Sequence, residues 1–131
     1  MFPRFAAGCA IASIAIALGA LVIALTPGLT FERVYPLTII WCVAPLAWGV
    51  WALLAPATWV PQRLPLWGAI LGLIAGSLAA YVLNLPSRVL GETLSVVGRT
   101  VAMLVLMVFY YVLWMLVRMA YRSLASTTSG R

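Results

Sequence analysis

The side chains that can do acid–base, redox or metal chemistry are few in this sequence of 131 residues. It contains two Glu (Glu32 and Glu92), two Cys (Cys9 and Cys42), five Tyr and eight Arg, and it has no His, Asp or Lys. Without His, neither a Ser–His–Asp nor a Cys–His catalytic arrangement can form, and a histidine-ligated metal or haem is excluded. Two isolated carboxylates do not make a metal site. We therefore expect no enzyme activity, no cofactor and no bound metal.

The composition indicates the class of protein that carries these side chains. Hydrophobic residues make up 66% of the chain and charged residues 8%, whereas about a quarter of the residues of a soluble domain are charged. The net charge of +6 comes from arginines that lie singly between apolar runs. We expect them to set topology and contact lipid headgroups rather than to bind nucleic acid. The lipid bilayer is the solvent that fits such a chain.

Four stretches are long and apolar enough to cross a bilayer, which requires about 20 residues. They cover approximately residues 5–26, 34–55, 66–85 and 100–120. Prolines and glycines interrupt the chain between them, as is typical of turns. The sequence therefore predicts an all-α integral membrane protein, a single membrane domain over 1–131 in which four transmembrane helices form a compact bundle.

A row of small residues marks the third predicted span. Gly68, Gly72, Gly76 and Ala80 follow one another at intervals of four residues and so share one helix face. Small residues allow two helix backbones to approach closely in lipid, so this row predicts a tight helix–helix contact. The partner is either another helix of this chain, with the alanine-rich first span as the favoured candidate, or a helix of a second protein.

The second predicted span carries a proline and a row of tryptophans. Pro45 lies near its middle, where it removes a backbone hydrogen bond, so we predict a kink there. Kinked helices occur at transporter sites and also in spans without such a role. Trp41, Trp48 and Trp51 share a face at spacings of seven and three. We interpret them as bulky packing residues, with a site for an aromatic or cationic ligand as the alternative.

The connection before the fourth span, approximately 87–98, predicts a short amphipathic segment with Ser87 as its N-cap, which lies at the interface or leads straight into the fourth span. Arg88, Glu92, Ser95 and Arg99 are spaced four, three and four apart, which places them on one helical stripe. The stripe is either a solvated face or a docking surface for a partner on the non-cytoplasmic side. An enzyme hypothesis would use Glu92 together with the two arginines.

The arginines indicate orientation. With four spans, the N-terminus, the second connection and the C-terminus share one side, which carries Arg4, Arg63, Arg118, Arg122 and Arg131. The other side carries three arginines and both glutamates, namely Arg33, Arg88, Arg99, Glu32 and Glu92. Because cytoplasmic loops are enriched in Lys and Arg, the sequence predicts that both termini are cytoplasmic, in the inner membrane of a bacterium.

These observations favour a small multi-pass membrane protein without chemistry of its own. We expect an accessory, assembly or structural subunit of a larger membrane complex, which binds another membrane protein or a second copy through its small-residue faces. The alternative is a small homo-oligomeric transporter or channel. Both glutamates are predicted to lie outside the apolar core, which weakens that alternative for ion-coupled transport.

Overall fold

A computed structural model describes residues 1–28 and 31–129 and contains only helices and turns over these residues. The helices are α1 (Phe2–Leu25), α2 (Phe31–Leu54), α3 (Leu64–Ser77), α4 (Leu85–Leu90) and α5 (Val96–Ser129). A 3₁₀ turn over Ala57–Trp59 lies between α2 and α3, and a π-helical turn over Leu78–Val82 continues α3. Arg131, used above for orientation, lies outside the described residues.

Four segments are long and apolar enough to cross a membrane, namely Phe2–Leu25, Val34–Leu54, Leu64–Val82 and Val96–Ser126. This confirms the all-helical class and the prediction of four helices long and apolar enough to cross a membrane. The boundaries differ at the last helix, because α5 begins before residue 100 and continues beyond residue 120. Its 34 residues rise about 51 Å, so α5 is longer than the roughly 30 Å hydrocarbon core of a bilayer.

Helices α1 and α2 form an antiparallel hairpin whose closest approach depends on two glycines. A Cβ atom at Gly8 would lie 2.8 Å from the backbone oxygen of Trp48, and one at Gly49 would lie 2.6 Å from the Sγ atom of Cys9. Both distances are shorter than ordinary van der Waals contact, so no larger residue fits at these positions without movement of the neighbouring helix. The two backbones therefore touch near the N-terminal end of α1.

Helices α3 and α5 form the second antiparallel hairpin, and the glycine row of α3 lies at their interface. A Cβ atom at Gly68 would overlap the Trp114 side chain, and one at Gly72 would lie 2.6 Å from the Cβ atom of Tyr110. Gly76 faces Met103 at 3.2 Å, and Ala80, in the π-helical turn, is buried. The row thus packs within the chain.

The helix that the glycine row contacts is α5, whereas the sequence favoured α1. The small residues of α1 that suggested a match, such as Ala10, Ala17 and Ala24, are exposed. Helix α1 instead buries Ala7, Gly8 and Ala12 against the rest of the bundle. The physical reason is size: the Trp114 ring needs a partner without a side chain, and Gly68 provides it.

The two hairpins pack together through a core that lies at one end of the bundle. Its buried members come from every long helix: Ala7, Ala12, Trp48, Ala52, Ala55, Leu64, Trp114 and Val117. Helix α1 contacts both α2 and α5, so the chain folds into one bundle. The connection between α2 and α3 and the C-terminal half of α5 lie at this same end.

The connection between the π-helical turn and α5 differs from the prediction. A helix does form, but it covers Leu85–Leu90 and ends at Gly91, whose φ of 75° lies in the left-handed region. Ser87 is inside this helix rather than at its start, and its Oγ atom accepts a hydrogen bond from the Leu94 N–H at 3.1 Å. The predicted helical stripe over 88–99 is therefore interrupted at Gly91. Residue spacing alone did not reveal this turn.

Candidate functional site

An apolar cavity of about 490 Å³ lies between the two hairpins. All four spans contribute to its wall, with Ile16 from α1, Trp41 from α2, Leu78 from the π-helical turn and Leu113 from α5 among the lining residues. Its volume falls within the range of small-molecule sites, about 300–1,000 Å³. It is the candidate site because every span contributes to its wall.

The cavity lies at the middle of the apolar part of the bundle. On α5, Arg99 and Arg118 are 19 residues apart, a rise of about 29 Å, close to the thickness of the hydrocarbon core. The α5 residues that line the cavity run from Leu106 to Leu113, which is midway between the two arginines. In a bilayer the cavity would therefore be surrounded by acyl chains at mid-depth.

An aromatic cluster, formed by Trp48, Trp51, Trp67, Tyr110 and Trp114, closes one end of the cavity. The Trp48 ring lies 5.0 Å from the Tyr110 ring and 5.7 Å from the Trp114 ring, measured between centroids. Trp48 and Tyr110 also line the cavity, whereas Trp114 is completely buried beneath them against Gly68. Large rings in contact leave no continuous passage along the bundle axis at this end.

Trp51 and Trp67 join α2 to α3 within this cluster. Their rings stack at 4.7 Å with an interplanar angle of 16°. The Trp51 Nε1–H donates to the Trp67 carbonyl at 3.0 Å, and the Trp67 Nε1–H donates to the Trp51 carbonyl at 2.8 Å. Each indole thus satisfies its polar atom where water is scarce. The sequence analysis did not predict this pairing, because the two residues lie on different helices.

The π-helical turn and α4 close the other end. The Leu83 N–H donates to the Leu78 carbonyl at 2.9 Å, which fixes the wide turn. Leu78, Leu83 and Leu85 all line the cavity. The Tyr81 hydroxyl lies 2.6 Å from the Thr100 hydroxyl and ties the turn to α5. π-Helical turns are rare and are often found at functional sites, and the sequence carried no signal for this one.

The three tryptophans of α2 have separate roles. Trp41 lines the cavity, Trp48 packs on α5 and Trp51 stacks on α3. All three face the interior, in agreement with the interpretation as packing residues. Helix α2 runs through both Pro36 and Pro45. Pro45 has no N–H to donate to the Trp41 carbonyl, so one backbone acceptor beside the cavity lacks its helical donor.

The cavity is open to the side. Four of its lining side chains also reach the outer surface of the bundle, with exposed fractions of 40–51%: Ile40, Leu78, Leu83 and Phe109. Helices α2 and α3 meet closely only near the Trp51–Trp67 pair, while α3 packs along α5 and α1 packs along α2. A molecule in the bilayer therefore has lateral access to the cavity.

The residues of the predicted docking stripe lie on α4, the turn after it and the start of α5. Arg88 lies near the end of α4, Glu92 in the turn after it, and both are exposed. The Ser95 Oγ atom accepts a hydrogen bond from the Gly98 N–H at 3.2 Å just as α5 begins. Arg99 is partly buried and its Nε–H donates to the Leu94 carbonyl at 3.3 Å. The Ser95 and Arg99 side chains thus stabilise the turn before α5.

The chemistry available at the cavity is apolar contact. Its polar atoms are the indole groups of Trp41 and Trp48 and the hydroxyl of Tyr110, and no Arg or Glu lines it. Over the residues that the structure describes, no three His, Cys, Asp or Glu side chains come together as a metal site. No family model, curated protein or solved structure matches the chain. The proposals below therefore depend on the geometry of the bundle.

Proposed function

We propose that this chain is a multi-pass membrane protein without chemistry of its own, which serves as an accessory, assembly or structural subunit of a larger membrane complex. The observation that carries the proposal is the exposed small-residue face of α1: Ala10, Ser13, Ala17, Ala20 and Ala24. The intervals alternate between three and four residues, which is the spacing of a helix–helix seam. Small side chains on such a seam let a second membrane helix approach closely.

The use of the other small residues supports this assignment. The glycine row of α3 packs against α5, and Gly8 and Gly49 pack within the first hairpin. The outer face of α1 is the small-residue surface that remains unoccupied in the described part of the chain. Contact with a partner helix there would add van der Waals packing that lipid chains match less well. The partner is another membrane protein.

The test is co-purification from membranes in a mild detergent, followed by mass spectrometry. We expect the intact chain to retain a partner protein, and Ala17→Phe to lose it because the ring would separate the two helices. Ala47→Phe is the matched control, since Ala47 is exposed on α2, and it should retain the partner. A chain that runs alone as a defined homo-oligomer, with and without either substitution, would contradict the proposal.

We further propose the bacterial inner membrane as the location, with both termini in the cytoplasm. Arg4, Arg63, Arg118 and Arg122 lie at the end of the bundle that holds the aromatic cluster. The Arg118 Nη1 atom donates to the Gln62 carbonyl at 3.4 Å, which places a positive charge beside the connection between α2 and α3. The excess of arginine at this end supports a cytoplasmic assignment.

A small homo-oligomeric transporter or channel is the second candidate, and the cavity favours it. A central cavity next to a π-helical turn and a proline-containing helix is a common arrangement at transport sites. The apolar lining points to an uncharged solute rather than an ion. Solute flux into liposomes that contain only this chain would support the candidate. Glu92→Gln should leave that flux unchanged, because Glu92 is exposed and is not among the lining residues.

A further inference from the structure

We propose that the cavity binds one acyl chain of a membrane phospholipid as a specific ligand. The inference is independent of the accessory role, since it concerns the interior of the bundle and not the outer face of α1. Three observations carry it: the depth of the cavity in the span, its apolar lining and its lateral opening.

Depth and lining define the chemistry of the occupant. The cavity lies midway between Arg99 and Arg118, where the surrounding solvent is hydrocarbon. Water needs two to four polar partners, whereas this wall consists almost entirely of aliphatic and aromatic side chains such as Ile16, Leu106 and Leu113. A linear hydrocarbon chain is the molecule that this wall and this depth favour.

Volume and access agree with a single chain. A methylene group takes roughly the same space as a liquid water molecule, about 30 Å³, so a cavity of about 490 Å³ holds about sixteen methylenes. The open flank beside Ile40 and Leu78 faces the bilayer. The aromatic cluster closes the end towards Arg118, so the chain enters from the flank or from the end covered by α4.

The test uses the full chain in phosphatidylcholine vesicles that contain a phosphatidylcholine with a photoactivatable diazirine in the middle of one acyl chain. Labelled positions are mapped by mass spectrometry. We expect labelling at Ile16 and Leu113, which line the cavity and are partly buried, in addition to outward residues such as Val43. Labelling confined to outward residues would overturn the proposal.

Cavity-filling variants make the test specific. Ala44→Phe and Ala79→Phe each place a ring in the cavity, on α2 and on the π-helical turn. Either should lower labelling at Ile16 and Leu113 about tenfold, which corresponds to about 1.4 kcal/mol, and leave Val43 unchanged. The matched control Ala47→Phe lies on the outer face of α2 and should change neither. Labelling at Ile16 and Leu113 that persists in both filled variants would overturn the proposal.

Discussion

Trp114 and the glycines opposite it determine how closely α3 and α5 approach. The ring is fully buried on Gly68, and its Nε1 atom is buried without a hydrogen-bond partner. A buried donor without a partner costs about 1–3 kcal/mol, which close packing against glycine offsets. Because the contact is between a large ring and a bare backbone, it tolerates even a single added methyl group poorly.

We expect Gly68→Ala to lower the free energy of unfolding by about 1–3 kcal/mol through overpacking against Trp114, although Ala favours helix by about 1 kcal/mol. Gly98→Ala is the matched control, because a Cβ atom there would meet only the Leu94 and Ser95 side chains, at ordinary contact distances of 3.4–3.6 Å. It should be neutral or slightly stabilising. Unfolding in mixed micelles with increasing denaturing detergent measures both. Equal stability of the two variants would show that the row does not contact Trp114.

Asn84 offers a second test at a single side chain. Its φ of 51° is left-handed and its Oδ1 atom is buried without a partner. Both Asn84→Gly and Asn84→Ala remove this oxygen, but only Gly adopts the left-handed backbone without strain. The glycine variant should therefore be more stable than the alanine variant by about 1–2 kcal/mol in the same unfolding assay. A difference near zero would mean that the backbone here is not left-handed.

Helices α2 and α3 are held together at one contact, the Trp51–Trp67 pair, which we call the joint. The stacked rings of Trp51 and Trp67 and their two reciprocal hydrogen bonds hold these helices together, while the cavity separates them farther along. The Trp59 ring packs edge-on against Trp67 at 5.9 Å. The joint thus sets the width of the open flank.

A double-mutant cycle measures this joint. Trp51→Phe and Trp67→Phe should each lower the free energy of unfolding by about 1 kcal/mol, through loss of one hydrogen bond and part of the stack. The double variant should lose less than the sum, with a coupling of about 0.5 kcal/mol or more. Trp59→Phe, which keeps an aromatic ring beside Trp67, serves as the control with a smaller effect. Strict additivity would contradict a direct contact.

The long helices could be predicted from the sequence because each requires only an apolar run of about 20 residues. The sequence predicted that the glycine row of α3 contacts another helix, but not which helix. Both the small-residue face of α1 and the Trp114 face of α5 could have packed against it. The break at Gly91 was missed because a spacing of four, three and four takes no account of the backbone angle of a glycine. The cavity was missed because it arises from four helices together.

The bundle as a whole has an uneven interior. Its buried core lies at the end with Trp48 and Trp114, whereas the half nearer α4 surrounds the cavity. The arginines are distributed in the same uneven way, with four described arginines at the core end. This asymmetry distinguishes the two faces of the membrane and gives the orientation proposal a direct test.

Topology can be measured with single cysteines introduced into a variant without Cys9 and Cys42. Gln62→Cys and Thr93→Cys place a thiol at exposed positions at opposite ends of the bundle. A membrane-impermeant maleimide added outside cells with a permeabilised outer membrane should label Thr93→Cys at once. It should label Gln62→Cys only after the inner membrane is lysed. The reverse pattern would place both termini outside the cytoplasm.

The cavity also determines how the protein responds to compression. Hydrostatic pressure favours the state of smaller volume, and the volume lost on unfolding scales with the void inside the folded protein. Because the cavity opens to the side, its volume of about 490 Å³ counts as void only while no lipid chain or solvent fills it. An empty cavity would make the bundle more sensitive to pressure, and an occupied cavity would make it less sensitive. The pressure at which the helices separate therefore reports whether the interior is empty.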